Sequence, residues 1–228
     1  MVGLLIIPAK RRRAKNDLRK KLEDLRQRLL RVGVGGRTYG LVAAILLLVT
    51  LPTLAVTAAI ADPADDPPAA GTLLLFLLVF FAVQLVTSGT EEVGWRGYLT
   101  HTLLPGRGYW DTGWAVGPVW AVWHFPVVIQ LFLAQDMQPA AIVGSLAGFS
   151  IGIVAMAILQ AWFYQRTRSV FLAIVIHAAF NTVPLTIVLL FEGSPAAVLA
   201  NLLLWAVVIV LKSRTDREAR TGDTDATT

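Results

Sequence analysis

The sequence predicts an all-α, polytopic membrane bundle of about six transmembrane helices, preceded by a basic amphipathic helix. Three observations predict it. The 228 residues are 56% hydrophobic and only 15% charged, whereas soluble domains carry about 25% charged residues. Six apolar runs approach the roughly 20 residues needed to cross a bilayer. Finally, one topology puts every Lys and Arg on the same side of the membrane, the bias that orients membrane proteins.

Residues 1–37 form the basic segment. The opening MVGLLIIP places apolar residues ahead of the charges, the reverse of a secretory signal. Residues 1–40 then hold twelve basic side chains (Lys10, Arg11, Arg12, Arg13, Lys15, Arg19, Lys20, Lys21, Arg26, Arg28, Arg31, Arg37) against Asp17, Glu23 and Asp24. Leu18, Leu22, Leu25 and Leu29 recur at helical spacing from about Ala9 to Arg31, so an amphipathic helix is expected on the cytoplasmic leaflet, bound to anionic lipids. The rival is a solvated basic tail. The net charge of +5 comes from this segment beside a membrane span and does not indicate nucleic acid.

The transmembrane domain spans 38–211, with runs at 38–60, 71–92, 113–133, 139–163, 169–191 and 195–211. The second is expected to continue as helix to Leu104, where Pro105-Gly106 supplies a stop. Pro63, Pro67 and Pro68 mark a non-helical first loop. In the fourth run Gly144, Gly148 and Gly152 leave one face bare, which lets a neighbouring helix approach. Residues 212–228 form a polar tail, expected to be disordered.

With the N-terminus inside, the outward loops 61–70, 134–138 and 192–194 carry Asp62, Asp65, Asp66, Asp136 and Glu192 and no Lys or Arg. The inward connections carry Arg96, Arg107, Arg166 and Arg168, and the tail adds Lys212, Arg214, Arg217 and Arg220. Five spans would move that last group outside and break the bias. The expectation is a plasma (inner) membrane protein with both termini in the cytoplasm.

Ionisable groups inside a bilayer cost roughly 2.5–3.5 kcal/mol on insertion scales unless partnered, so intramembrane polar clusters point to function. Three occur on different spans: Glu91-Glu92-Val93-Gly94-Trp95-Arg96, Trp120-Ala121-Val122-Trp123-His124, and His177-Ala178-Ala179-Phe180-Asn181. Adjacent residues diverge by about 100° around a helix, so Glu91 and Glu92 cannot aim at one point. Glu92 and Arg96 have the favourable i,i+4 order for an ion pair, which leaves Glu91 as the free carboxylate. His177 and Asn181 share a helix face. At about 1.5 Å per residue, His124 lies roughly 16 Å and His177 roughly 12 Å from the cytoplasmic entry, in one layer with Glu91. His101 lies well over 10 Å along the helix from Glu92 and half a turn round, and is not a site residue. Taken singly, each cluster also fits a bland role, as a charged helix end or a hydrogen-bonded core histidine.

In this order the EExxxR, aromatic-xxx-His and HxxxN motifs resemble the CPBP family, which comprises type II CAAX prenyl endopeptidases and bacteriocin-processing or immunity proteins. The resemblance covers about residues 71–211, with the motifs inside 71–191. It implies that Glu91 activates water, that Glu92 and Arg96 support it, and that His124, His177 and Asn181 complete a catalytic set. The family's second motif begins with Phe, whereas Trp120 stands here, so pocket shape differs. The basic N-terminal segment lies outside the match.

The implied activity is an intramembrane endopeptidase acting on a membrane-associated peptide or protein near its C-terminus, with or without a lipid modification, since no residue here identifies a prenyl pocket. Desolvation favours the neutral form of a carboxyl and brings a general base closer to neutrality. Alternatively Glu91, His124 and His177 hold Zn²⁺, whose bound water approaches pKa ~7. No HExxH motif is present, and with no cysteine, thiolate catalysis and Cys-bound zinc are excluded. The rival functions are a non-catalytic immunity or scaffold protein and, given the lack of an internal repeat, less readily a proton-coupled transporter. Nothing in the sequence indicates an oligomeric state.

Overall fold

A computed structural model describes the backbone of residues 3–191 and 196–225, and the side chains of 14–191 and 196–220. The outward loop 192–194, with Glu192, lies outside the described residues.

Helix α1 (Gly3–Leu29) is the basic helix. Its leucines divide: Leu18 and Leu22 are exposed, whereas Leu25 is half-buried and Leu29 packs on the hydrophobic core. A turn at Gly35, in the left-handed region at φ 86°, leads into α2 (Gly36–Ile60). Helix α3 (Ala70–Gly94) widens into a π-helical turn, Trp95–Thr100, and continues as α4 (His101–Leu133). The chain does not stop at Pro105-Gly106 as expected. It breaks at Gly108, whose φ of 71° suits a residue without Cβ.

Helices α5 (Pro139–Thr167), α6 (Val170–Thr182), α7 (Leu185–Leu190) and α8 (Ala196–Asp225) follow. The fifth apolar run is thus divided at Pro184, which α6 cannot continue through. The expected disorder from Lys212 is corrected as well, because α8 carries the polar residues on as helix to Asp225. Lys212 ion-pairs with Asp216 one turn later at 2.5 Å, a stabilising i,i+4 arrangement.

Five continuous helical stretches are long and apolar enough to cross a membrane, and one of them, Ala70–Leu133, is 64 residues long. That stretch holds both the second and the third predicted runs. It folds back on itself, because Trp120 of α4 hydrogen-bonds Glu91 of α3 at 3.2 Å, whereas 29 residues of straight helix would span roughly 44 Å. The chain also begins and ends its passages at one end of the bundle. Arg31 bonds the Thr167 carbonyl and the neighbouring Arg166 bonds Thr215. An even number of crossings fits that closure.

Helix α4 lies against α5, α3 against α6, and α8 against both α5 and α2. The closest approach is α4 to α5. A Cβ on Gly113 would stand 2.6 Å from Ile158 Cα, and one on Gly117 would stand 2.8 Å from Val154 Cα. Two glycines one turn apart thus let the backbones meet. The predicted Gly144, Gly148 and Gly152 face is used only in part. Gly152 abuts Asn201, which donates to the Gly148 carbonyl at 3.1 Å, while Gly144 has open space.

Candidate active site

The site is assembled where α3 ends. A π-helical turn shifts bonding from i+4 to i+5 and re-aims the residues beside it. Here that turn follows Glu91 and Glu92 and carries Trp95 and Arg96. Helices α4 and α6 bring the two histidines to opposite sides of this corner.

Glu91 faces α4. Its Oε2 accepts the indole N–H of Trp120 at 3.2 Å and lies 3.7 Å from His124 Nε2. His124 Nδ1 is 2.9 Å from the backbone carbonyl of Trp120. A carbonyl only accepts, so Nδ1 carries a proton and Nε2 is the ring atom turned toward Glu91. Their 3.7 Å separation is too long for a direct hydrogen bond. A water seated beside the pair can bridge the carboxylate and the ring nitrogen.

Glu92 faces the other way. It and Arg96 are fully buried and paired at 2.8 Å, and Glu92 Oε1 also meets His177 Nδ1 at 2.9 Å. The divergence expected of adjacent glutamates is present, and it divides the histidines: Glu91 with His124, Glu92 with His177. Arg96 makes one side-chain hydrogen bond, and its guanidinium lies over the Trp120 ring, 4.2 Å from the centroid. That cation–π contact offsets part of the cost of burying the cation, whose Nε and Nη2, like Glu92 Oε2, have no hydrogen-bond partner among the described residues. Removing one member of such a buried pair costs about 3–5 kcal/mol.

Trp120 is therefore the hub. It is 1% exposed, and it touches His124 and His177 with ring centroids 5.9 Å and 5.2 Å away. A phenylalanine would keep an aromatic ring there, but a smaller one with no N–H for Glu91. In the sequence Trp120 stood out only as a departure from a motif.

Asn181 shares a face of α6 with His177 but lies farther along. Its amide donates to Gln84 of α3 at 3.0 Å, and Ser88 bonds the same Gln84 oxygen. The structure does not bring Asn181 to Glu91 or to either histidine; it lines a separate cavity of about 250 Å³ with Thr50, Thr53 and Pro184. Gln84, an amide within an apolar run, was the missed signal for this contact. His101 stands apart from both glutamates as expected, with its Nδ1 3.1 Å from Tyr164 Oη.

The three candidate zinc ligands do not converge as a set, because His177 is turned onto Glu92. Among the described residues no three His, Asp or Glu side chains gather in a geometry that would hold a metal ion. The arrangement as it stands is a carboxylate–imidazole pair beside a buried Glu–Arg–His cluster.

Beside Glu91 opens a cavity of about 440 Å³, walled by Thr90, Gly94, Trp95, Tyr98, Leu99 and Trp123. Apart from the carboxylate its lining is largely aromatic and aliphatic. Tyr98 and Trp123 are exposed at its mouth.

Residues 72–183 match the model of a protein family described as type II CAAX prenyl endopeptidase, Rce1-like. The chain is also 30% identical over 110 residues to a protein of Methanococcus maripaludis named CAAX prenyl protease 2. That match covers 46% of this chain and 39% of the relative. The chain thus aligns with about two fifths of the length of the curated relative it matches. All six candidate site residues fall within 72–183, whereas α1, α2, α7 and α8 do not.

Proposed function

From the match of residues 72–183 to the Rce1-like type II CAAX prenyl endopeptidase family, we propose that this chain is an intramembrane endopeptidase. It hydrolyses a peptide bond of a membrane-associated polypeptide. The observation that carries this reading is the facing of a carboxylate oxygen and an imidazole nitrogen, Glu91 Oε2 and His124 Nε2, 3.7 Å apart.

A water bridging these two groups donates a hydrogen to Glu91. As its oxygen attacks the scissile carbonyl, Glu91 takes the proton as general base and later returns it to the leaving amine. The C–O bond forms, the C–N bond breaks and the proton ends on nitrogen. Trp120 holds Glu91 in place, and His124 orients the water. The Glu92–Arg96–His177 cluster fixes the corner of the helix that carries Glu91. The apolar cavity suits an apolar or lipid-modified segment, delivered from the bilayer through the mouth at Tyr98 and Trp123. The basic end of the bundle faces the cytoplasm in this reading, with the exposed part of α1 on anionic lipid.

The test compares wild type with Glu91→Gln, reconstituted in liposomes with a membrane-anchored, lipid-modified reporter peptide. Loss of a general base is expected to slow cleavage about 10²–10⁴-fold. Equal cleavage by both proteins overturns the mechanism. Metal content of the purified protein and its response to chelators test the zinc alternative separately. One observation favours a non-catalytic scaffold: the Glu92–His177 contact already ties α3 to α6 without any substrate. Wild type that folds but cleaves nothing supports that second reading.

A further inference from the structure

Arg28 is the one basic side chain of α1 that is buried among the described residues, at 6% exposure, although α1 lies outside the family match. Its guanidinium donates to the Gly97 carbonyl at 2.7 Å and to Tyr164 Oη at 2.8 Å, and pairs with Asp24 at 2.8 Å. Such a planar fork reaches its three acceptors in fixed directions, a geometry that the point charge of an ammonium reproduces only in part. Around it Leu25 lies against Gly97, where an added Cβ would come within 2.8 Å of Leu25 Cδ1. Three residues on, Ser169 Oγ donates to the Arg31 carbonyl at 2.6 Å and the Arg31 guanidinium donates to the Thr167 carbonyl at 3.2 Å.

Gly97 belongs to the π-helical turn, where altered backbone bonding leaves carbonyls in need of side-chain partners. The Tyr98 carbonyl accepts the His101 backbone N–H and also Thr102 Oγ1 at 2.8 Å, whereas the Gly97 carbonyl accepts from Arg28. The residue before Gly97 is Arg96, which holds Glu92 and lies over Trp120.

We propose that Arg28 is a positioning residue of the active site: by holding the Gly97 carbonyl it fixes the π-helical turn, and through Arg96 it sets Glu92, His177 and Trp120. The end of α1 is then a working part of the site and not merely a surface anchor. The exposed part of α1, with Leu18 and Leu22, remains available to the membrane. Any effect on turnover rests on the endopeptidase reading; the effect on the turn does not.

The test is amide hydrogen exchange of the full chain in liposomes, for wild type, Arg28→Ala, Arg28→Lys and Arg26→Ala. Arg26 is an exposed control that removes the same charge from the same helix. In Arg28→Ala, exchange of 95–100 is expected to quicken at least about tenfold, the factor one charge-assisted hydrogen bond corresponds to. Arg28→Lys should recover part of it, and Arg26→Ala should match wild type. With the reporter peptide, kcat of Arg28→Ala should fall while KM changes little. Unchanged exchange at 95–100, or faster exchange spread evenly over the bundle, overturns the proposal. So does a wild-type kcat in Arg28→Ala when wild type cleaves. If wild type cleaves nothing, the endopeptidase reading fails and the exchange result alone decides the role of Arg28 in the turn.

Discussion

Trp120 shows how one atom alters a site. Its ring packs between two imidazoles, as any aromatic would, but its N–H reaches Glu91 at 3.2 Å. Hydrogen bonds to charged groups are worth about 1.5–3 kcal/mol. Trp120→Phe should therefore keep the fold, with thermal unfolding lowered by the smaller ring, while lowering kcat of the proposed hydrolysis roughly ten- to hundredfold in samples matched for folded protein. Full activity in Trp120→Phe would show that the carboxylate needs no such anchor. At this scale much was legible beforehand. Glu91, Glu92, Arg96, His124 and His177 were visible because polar groups in apolar runs demand partners. Their pairing was only half legible, since helical divergence separates the two glutamates without saying which histidine meets which. Arg28 was hidden among eleven other basic residues of the same segment, where composition cannot single out the buried one.

Between elements, the junction of α4 with α5 sets the height of His124 relative to Glu91. Gly113 and Gly117 permit it, with backbone of α5 where a Cβ would go. Gly113→Ala has to push the helices apart and is expected to cost about 1–3 kcal/mol, as overpacked cores do. Unfolding in mild detergent measures the loss. Gly144→Ala, whose Cβ meets nothing within 4 Å, is the matched control and should be neutral or slightly stabilising. Small residues spaced four apart were therefore a real signal, used in part on α5 at Gly152 and more fully on α4 at Gly113 and Gly117. Periodicity shows that a face is bare, and only packing shows which bare face is used. The π-helical turn had no signature at all, because it answers to the contacts of Arg28 and Arg96 more than to local preference.

Over the molecule as a whole, the charges and the closure of the bundle point the same way. The basic groups of α1, Arg166 and Lys212 gather at one end, where Arg31 meets Thr167 and Arg166 meets Thr215. The chain has no cysteine, so single thiols can report topology. A membrane-impermeant maleimide applied to intact cells is expected to label Ala64→Cys, in the acidic first loop, and to spare Ser213→Cys. The reverse pattern would overturn the proposed orientation. What the amino-acid order by itself determined is the membrane setting, the helical class and the identity of the polar groups inside it. Hydropathy, helical period and the cost of a charge in hydrocarbon act locally and are written along the chain. What only the tertiary structure decided is the partnership of those groups: Glu91 with His124, Glu92 with His177, Asn181 with Gln84, and the docking of α1 on Gly97. These depend on how helices far apart in sequence are turned and how close they come. A bare glycine, a break at Gly108 and one buried arginine settle that jointly, and no one stretch of sequence settles it alone.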